Sequence, residues 1–213
     1  MKENLGEAHK LNEEALRQQQ LVIEYNSLKK YCPSGIYVLP QVNNINIWQG
    51  VIFIRQGYFK DGIFRFKIEI PENYPCSSPH IFFYNYIFHP LINYETLELS
   101  IGAQFPEWQP GKHFIFSLLG YLKKVFYSTE QWTLINHVLN PQALNTFTED
   151  EILFIQEARR CVIDSQNFEN NDEKDSAIHF KKFNSFHSII LKNIRKSIER
   201  PSEFMRYFRD NFI

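Results

Sequence analysis

The stretch that decides the fold runs from Trp48 to Pro75 and reads WQGVIFIRQGYFKDGIFRFKIEIPENYP. At its centre, the pair Asp61 and Gly62 is a strong signal for a tight turn between two strands. After the turn, polar and apolar residues alternate with a period of two, which indicates a strand with one buried face. Before the turn, β-branched and aromatic residues dominate, as in buried strands. The stretch predicts two antiparallel strands, the second burying Phe64, Phe66, Ile68 and Ile70.

Two more strand-like runs flank this pair. GIYVLPQ occupies residues 35–41, and HIFFYNYIF occupies residues 80–88, after the proline-rich loop PENYPCSSP. Four consecutive strands joined by short loops predict a four-stranded antiparallel meander.

A long N-terminal helix is predicted before the sheet. From about Leu5 to Tyr31 the chain has no proline and is rich in good helix formers. Pro33 and Gly35 predict where this helix ends. Its apolar residues at roughly helical spacing are Leu11, Ala15, Val22 and Tyr25.

Further helices are predicted after the sheet. Residues 112–127 carry an apolar stripe, and residues 140–163 predict a short helix followed by a longer one. Thr148 and Glu151 have the spacing of a capping box for the longer helix. A helix, a meander and then more helices indicate an α+β fold. The predicted inward residues are Phe114, Leu118, Tyr121, Leu122 and Val125 in the first segment, and Ile152, Ile155 and Ala158 in the last.

Four regions are predicted along the chain: an N-terminal helical extension (1–15), a folded domain (16–164), a polar linker (165–176) and a basic amphipathic helical tail (177–213). The tail carries eight Lys or Arg against three Asp or Glu, although the whole chain has a formal net charge of -1. A basic tail on a mildly acidic body suggests a docking segment. The candidate partner-docking residues are Phe186, Ile190, Ile194, Phe204, Phe208 and Phe212.

Composition limits the function classes. A net charge of -1 over 213 residues argues against a generally basic nucleic-acid binder. The three cysteines lie far apart without metal spacing, so we expect free thiols in a reducing compartment and no metal or other cofactor. No apolar run approaches about 18 residues, which predicts no transmembrane segment. The N-terminus has neither a signal-peptide core nor an Arg-rich transit pattern, and we expect a cytoplasmic location.

Several motifs together resemble the ubiquitin-conjugating (UBC) fold from about Leu16 to Val162. They are the stretch quoted above with its IPENYP ending, then FHP at residues 88–90, then Trp108. With FHPLIN and NPQAL, the chain looks most like the inactive variants of that family, in particular the fused-toes (AKT-interacting protein) subfamily. The resemblance implies a non-catalytic adaptor that joins Hook-type coiled-coil proteins and an FHIP-type partner, linking vesicle cargo to dynein.

The segment FHPLINYETLELSIGAQFPEW, residues 88–108, matches the family's reaction centre. Active members carry a nucleophilic cysteine about eight to ten residues after His-Pro-Asn, because the thiolate forms a reactive thioester. Here residues 91–105 contain no cysteine, and the slot falls on Ser100 or its neighbour Leu99. Leu91 occupies the place of the asparagine whose loss as an oxyanion donor typically costs about 10²–10³ in rate. The degenerate active-site positions are His89, Pro90, Leu91 and Ser100, and we expect no enzyme activity.

Structural roles are expected for the remaining conspicuous residues. His89 with Pro90 is interpreted as a loop anchor whose imidazole bonds nearby backbone, and Ser100 as an ordinary loop or strand-end residue. A hydrolase pair of Ser100 and His89 is disfavoured, because the nucleophile-elbow pattern is missing. We expect Cys76 in a loop, Cys161 on the packing face of the last helix, Cys32 before the turn at Pro33, and Trp48 and Trp108 in the core.

Several functions stay open at this stage. The first is an adaptor or scaffold subunit of a multiprotein complex, on vesicles or the cytoskeleton. The alternatives are a structural subunit of a large organellar or cytoskeletal assembly, and a non-covalent ubiquitin-binding cofactor of an active conjugating enzyme. Transferase activity through an unusual residue is a further alternative, as is peripheral contact of the basic tail with an anionic membrane.

Overall fold

A computed structural model describes residues 2–133 and 135–167 and, nearer the C-terminus, residues 178, 180, 187–192 and 195. Side chains are described from residue 14 onward, residue 135 excepted. The chain divides into two compact units, Met1–Ile178 and His179–Ile213. In the second unit, residues 187–192 are helical, and Ile189, Ile190 and Leu191 are exposed.

The first unit contains the predicted four-stranded antiparallel meander, which is confirmed. The strands are hydrogen-bonded in chain order, so β1 and β4 are the two edges of the sheet. Each strand pairs antiparallel with the next, and opposite residues include Val38 with Gly50 and Gly50 with Phe66. The strands are β1 (Ile36–Gln41), β2 (Asn44–Phe53), β3 (Ile63–Glu69) and β4 (His80–Phe83).

One face of the sheet carries the core, as the alternation in β3 predicts. Phe64, Phe66 and Ile68 are buried, whereas Lys67 and Glu69 on the other face are partly exposed and form an ion pair at 2.6 Å. Phe66 lies directly over Gly50, where an added Cβ would come within 2.3 Å of the phenyl ring. The core of the sheet is therefore packed too closely at this point for any side chain on β2.

The helices complete an α+β fold, which confirms the predicted class. Among the residues described in the first unit, a helix precedes the sheet and three follow it, with two short 3₁₀ turns between the second and third helices. The helices are α1 (Lys2–Tyr31), α2 (Ile115–Tyr127), α3 (Pro141–Glu149) and α4 (Glu151–Ser165); the 3₁₀ turns are Thr129–Gln131 and Ile135–His137.

The packing face of α1 follows the apolar residues at helical spacing only in part, with Tyr25 packed against the core. Leu21 and Leu28 are buried, but Val22 is 49% exposed and Ala15 is also exposed; the Leu11 side chain lies outside the described residues. The buried face includes Glu24, which is only 3% exposed. A search for apolar periodicity misplaces the face because a buried carboxylate breaks the pattern.

The Glu24 carboxylate joins three parts of the fold. It accepts hydrogen bonds from the Tyr74 hydroxyl and, at 2.7 Å, from the backbone N–H of Ile115. Ile115 is the first residue of α2, and Phe114 before it offers no side-chain cap, so Glu24 satisfies a helix N-terminal donor from another helix. Burial raises the pKa of Glu24, and these hydrogen bonds oppose that rise.

The predicted capping box of α4 is wrong, and of the three residues predicted to face inward only Ala158 is buried. Asp150 is the N-cap, and its side chain accepts the Leu153 N–H at 3.0 Å. Thr148 lies inside α3, where its hydroxyl donates to main-chain carbonyls. Ile152 and Ile155 are exposed, because α4 directs Phe154 toward the core, where it contacts Phe59 and Trp132. The buried residues of α4 are Phe154, Ala158, Cys161, Val162 and Ser165.

The other predicted stripe is largely correct. In α2, Leu118, Tyr121, Leu122 and Val125 are buried as expected, but Phe114 precedes the helix and is partly exposed. Trp48 is fully buried, whereas Trp108 is partly buried against the core.

Two glycine substitutions test this packing. Gly50→Ala places a methyl group against the buried Phe66 ring and should lower the free energy of unfolding by about 1–3 kcal/mol. Gly120→Ala is the matched control, because no atom lies within 4 Å of the added methyl in the exposed middle of α2. Alanine should there stabilise the helix by about 0.5–1 kcal/mol. Urea denaturation measures both, and equal effects of the two variants would contradict the packing described.

Candidate functional site

The segment that matches a reaction centre is fixed to the sheet by its own backbone. Residue 82 pairs with residue 98, and residue 92 with residue 99, as isolated antiparallel bridges. The Ser100 N–H donates to the Leu91 carbonyl at 2.8 Å, and the Leu99 N–H donates to Ile81 at 2.9 Å. This brings Leu91 and Ser100, two of the predicted site residues, side by side.

Asn93 shapes the turn between them. Its side-chain oxygen accepts the N–H groups of Glu95 and Thr96 at 2.8 and 2.9 Å. Leu97 follows in the left-handed region with φ 61°. The loop thus closes on internal hydrogen bonds, with Leu97 packed against the core.

His89 is a buried anchor, as predicted. Its Nδ1 accepts the Leu91 N–H at 3.0 Å, so Nε2 carries the proton and donates to the Val125 carbonyl at 3.2 Å. The ring is fully buried and lies edge-on to Trp132 at 4.7 Å between centroids. Complete burial lowers the pKa of His89 to about 3.

This environment removes His89 as a general base. Both ring nitrogens are occupied by backbone groups, and protonation would place a charge in an aromatic pocket without a counter-ion. The disfavoured pairing of Ser100 with His89 is therefore incompatible with the geometry.

Pro90 ties the loop to α3. Its carbonyl accepts the N–H groups of Leu139 and Asn140 at 2.9 and 3.0 Å. Asn140 is also the N-cap of α3, with its side-chain oxygen 3.1 Å from the Ala143 N–H. The sequence carried a signal for this, since asparagine followed by proline suits an N-cap and the first helical position.

The two positions that align with the nucleophile have different surroundings. Leu99 is 2% exposed and packs in the core, while Ser100 is partly exposed. The Ser100 carbonyl accepts the Tyr121 hydroxyl at 2.9 Å, and burial raises the pKa of Tyr121 to about 12. Leu91 is fully buried, so its side chain provides packing where the resemblance implies a polar donor.

The three cysteines occupy the places expected of them. Cys76 is exposed in the loop after Pro75, and Cys32 is half-buried at the end of α1. Cys161 is buried, and its sulfur accepts the Phe88 N–H at 3.2 Å. Burial raises the pKa of both Cys32 and Cys161, which disfavours their thiolates.

Sequence reasoning missed two residues near the loop. Trp132 is fully buried, and its indole N–H donates to the Val125 carbonyl at 2.8 Å. His137 lies so close to Gly102 that an added Cβ would be 2.7 Å from its Nδ1. Neither residue has a local sequence signal. Gly102 and His137 lie far apart in the sequence, and the pocket around Trp132 includes His89 and Phe154 from other segments.

The predicted docking residues are mostly outside the described part of the chain. This applies to Phe186, Ile194, Phe204, Phe208 and Phe212. Ile190 is described and is 39% exposed.

The described residues contain neither a candidate metal-binding cluster nor a candidate membrane-spanning helix. No three His, Cys, Asp or Glu side chains cluster there in a way that could hold a metal ion. Within the same residues, no helix has the length and apolar character needed to cross a membrane.

Comparisons with known proteins identify what the chain is similar to. A family profile described as ubiquitin-conjugating enzyme matches residues 20–162. A protein AKTIP homolog of Nematostella vectensis is 38% identical over 143 residues, which are 67% of this chain and 47% of that protein. A protein crossbronx homolog of Anopheles gambiae is 32% identical over 201 residues, covering 91% of this chain and 87% of the relative. The resemblance inferred from the motifs is thereby confirmed.

The AKT-interacting relatives are longer proteins. The AKT-interacting protein of Rattus norvegicus is 35% identical, and the match covers 63% of this chain but 45% of that protein. The chain therefore spans about half the length of these relatives.

A solved structure supports the fold. The E2 domain of a Toxoplasma gondii ubiquitin conjugating enzyme superposes with a TM-score of 0.59 over 70% of this chain and 97% of that domain, at 22% identity. At this identity the match concerns the fold alone.

The burial of His89 predicts its titration. Its pKa lies near 3 in the folded state and near 6.5 in the unfolded chain, so below pH 6.5 the unfolded state binds more protons. The contribution of His89 to stability is complete above pH 6.5 and is lost as pH falls toward 3, by up to about 1.4 kcal/mol per pH unit. Imidazole ¹⁵N spectra between pH 7.5 and 4.5 should show an unchanging Nε2–H tautomer, while free histidine in the same sample titrates. Protonation of His89 with a midpoint above pH 5 would contradict this assignment.

Proposed function

The chain belongs to the ubiquitin-conjugating enzyme family, and on that premise we propose that it is a catalytically inactive member that acts as an adaptor or scaffold subunit of a protein complex. The observation that carries the proposal is the lack of sulfur where the fold would hold the reacting cysteine, since residues 91–105 contain no cysteine. A serine hydroxyl without an activating base is a poor nucleophile, and any ester it formed would react slowly with lysine.

The packing of the site supports inactivity by a second, independent route. Leu91 and Leu99 are buried as core residues, and burial keeps His89 neutral while both of its ring nitrogens are bonded to main-chain groups. The leucine side chain at position 91 has no donor for a developing oxyanion. Restoring one catalytic group would leave the other defects in place.

The names of the relatives support protein binding as the remaining role. Two are called AKT-interacting protein or its homolog, and these are the proteins of the subfamily that the motifs resemble. For this chain we propose partners of the Hook-type coiled-coil and FHIP-type classes, and a role in linking vesicle cargo to dynein in the cytoplasm.

The basic tail, residues 177–213, is proposed as one docking segment, connected to the domain of residues 16–164 by a polar linker. Its excess of Lys and Arg and its apolar residues spaced by three or four would suit an acidic helical partner. Phe204, Phe208 and Phe212 are the proposed anchors of its last part.

A thioester assay tests the inactivity. The purified chain, incubated with activating enzyme, ATP and ubiquitin, should form no reductant-sensitive adduct, whereas an active conjugating enzyme in a parallel reaction should form one. Intact-mass spectrometry measures both. An adduct on this chain that disappears when Cys32, Cys76 or Cys161 is changed to serine would identify a relocated nucleophile and overturn the proposal.

Substitution in the full-length chain tests the tail. Changing Phe204, Phe208 and Phe212 together to serine should weaken binding to purified Hook-type or FHIP-type protein by about tenfold or more, equivalent to about 1.4 kcal/mol. Ile213→Ser is the control, because it also removes an apolar side chain but lies about 100° or more from the three phenylalanines around the predicted helix. Surface plasmon resonance measures the affinities, and equal binding by the triple variant and the original chain would remove the tail from the docking surface.

A further inference from the structure

A groove lies between the C-terminal end of α1 and the edge strand β1. Its cavity has a volume of about 200 Å³. Leu28, Lys29 and Cys32 line one side, and Tyr37 and Val38 line the other. A cavity of about 150 Å³ with such apolar walls can hold a benzene molecule, so this groove has room for an aliphatic side chain.

The backbone of β1 has hydrogen-bonding groups that face this groove. The Phe53 N–H donates to Gly35 at 2.8 Å, while the next residue, Ile54, donates to Gly62 on the β3 side at 2.9 Å. Because antiparallel pairs alternate, Tyr37 and Leu39 exchange hydrogen bonds with β2, and Val38 directs its N–H and C=O away from it.

Among the residues of β1, which the structure describes in full, Val38 differs in having both its N–H and its C=O available at the free edge. Ile36 also faces the free edge, but its N–H donates to Pro33 at 3.2 Å and its carbonyl accepts the Cys32 thiol at 3.5 Å. Pro40 has no N–H to offer. Val38 therefore presents a paired donor and acceptor at the edge, beside the groove that its own side chain lines.

The charge at the groove has one sign. Lys29 lines it and is exposed, and none of the residues that line it is acidic. An extended segment with a carboxylate near Lys29 would complement this charge.

We propose that this groove binds an extended, acidic segment of a partner protein, which adds to β1 as a fifth, antiparallel strand. The segment residue opposite Val38 exchanges two main-chain hydrogen bonds with it. Its side chain is aliphatic and points to the same face as Val38, which places it in the groove. A neighbouring carboxylate of the segment lies next to Lys29.

Peptide binding at β1 involves neither thioester chemistry nor the tail. A negative result for the groove therefore leaves the proposed adaptor role untouched, and a negative result for that role leaves the groove untouched.

Peptide titration of the full chain, followed by amide NMR, tests the groove. The probe is the acetylated and amidated peptide Asp-Glu-Val-Leu-Val-Glu-Asp, which carries acids on both sides and one leucine at its centre. We expect saturable shifts at the Val38 amide and at Lys29, with slower hydrogen exchange of Val38. The same peptide N-methylated at its three central residues should lose most of this binding, because it lacks the main-chain donors. A Lys-Lys-Val-Leu-Val-Lys-Lys peptide should also bind much more weakly.

Matched charge reversals in the protein separate the groove from general attraction. Lys29→Glu should weaken binding by about fivefold or more, because the reversed charge lies in the groove. Lys30→Glu makes the same change in net charge one residue away, where Lys30 lies over the Tyr31 ring, and should leave the affinity within about twofold. Equal effects of the two variants, equal binding of the N-methylated peptide, or no shift at Val38 with about 2 mM probe would each overturn the proposal.

Discussion

The Val125 carbonyl is the point on which the loop around residues 88–102 depends. Located in the last turn of α2, it has lost its helical partner and accepts both the His89 imidazole N–H and the Trp132 indole N–H. One acceptor therefore joins the loop, α2 and Trp132, the residue that follows the 3₁₀ turn Thr129–Gln131. The arrangement holds only while His89 is neutral with its proton on Nε2, because its Nδ1 must accept from Leu91. Protonating Nδ1 would abolish the hydrogen bond that this nitrogen accepts from the Leu91 N–H.

The N-terminal end of α2 is held by a buried acceptor from a side chain, the Glu24 carboxylate. Glu24 reaches from α1 to the first N–H of α2 and to the Tyr74 hydroxyl. Burying a carboxylate is unfavourable, which is why the pKa of Glu24 rises, but hydrogen bonds to a charged group are stronger than neutral ones. Glu24, Leu21 and Leu28 attach α1 to the core. The C-terminal end of α1 lies beside β1 and leaves the groove between them open.

Apart from the N-cap of α4, the sequence predicts features that depend on neighbouring residues and misses those that depend on distant ones. The meander could be predicted because alternation in β3 and the turn at Asp61 are local. The face of α1 could not, because its centre is Glu24, whose partners lie 50 and 91 residues away. For the site, the missing cysteine can be read directly from residues 91–105 of the sequence, whereas the Val125 contact joins residues 36 positions apart.

A catalytic loop has to hold polar groups ready for a reaction, and such groups usually cost stability. Here the corresponding positions are filled by Leu91 and Leu99, which pack as core residues, and the polar side chains His89 and Asn140 bind main-chain groups. The buried side chains of this loop are thus used for packing and for main-chain hydrogen bonds. At the edge of β1, Val38 directs two main-chain groups outward beside an apolar groove. Free main-chain groups at a sheet edge can pair with an added strand, and this is the contact that the proposed partner segment would make.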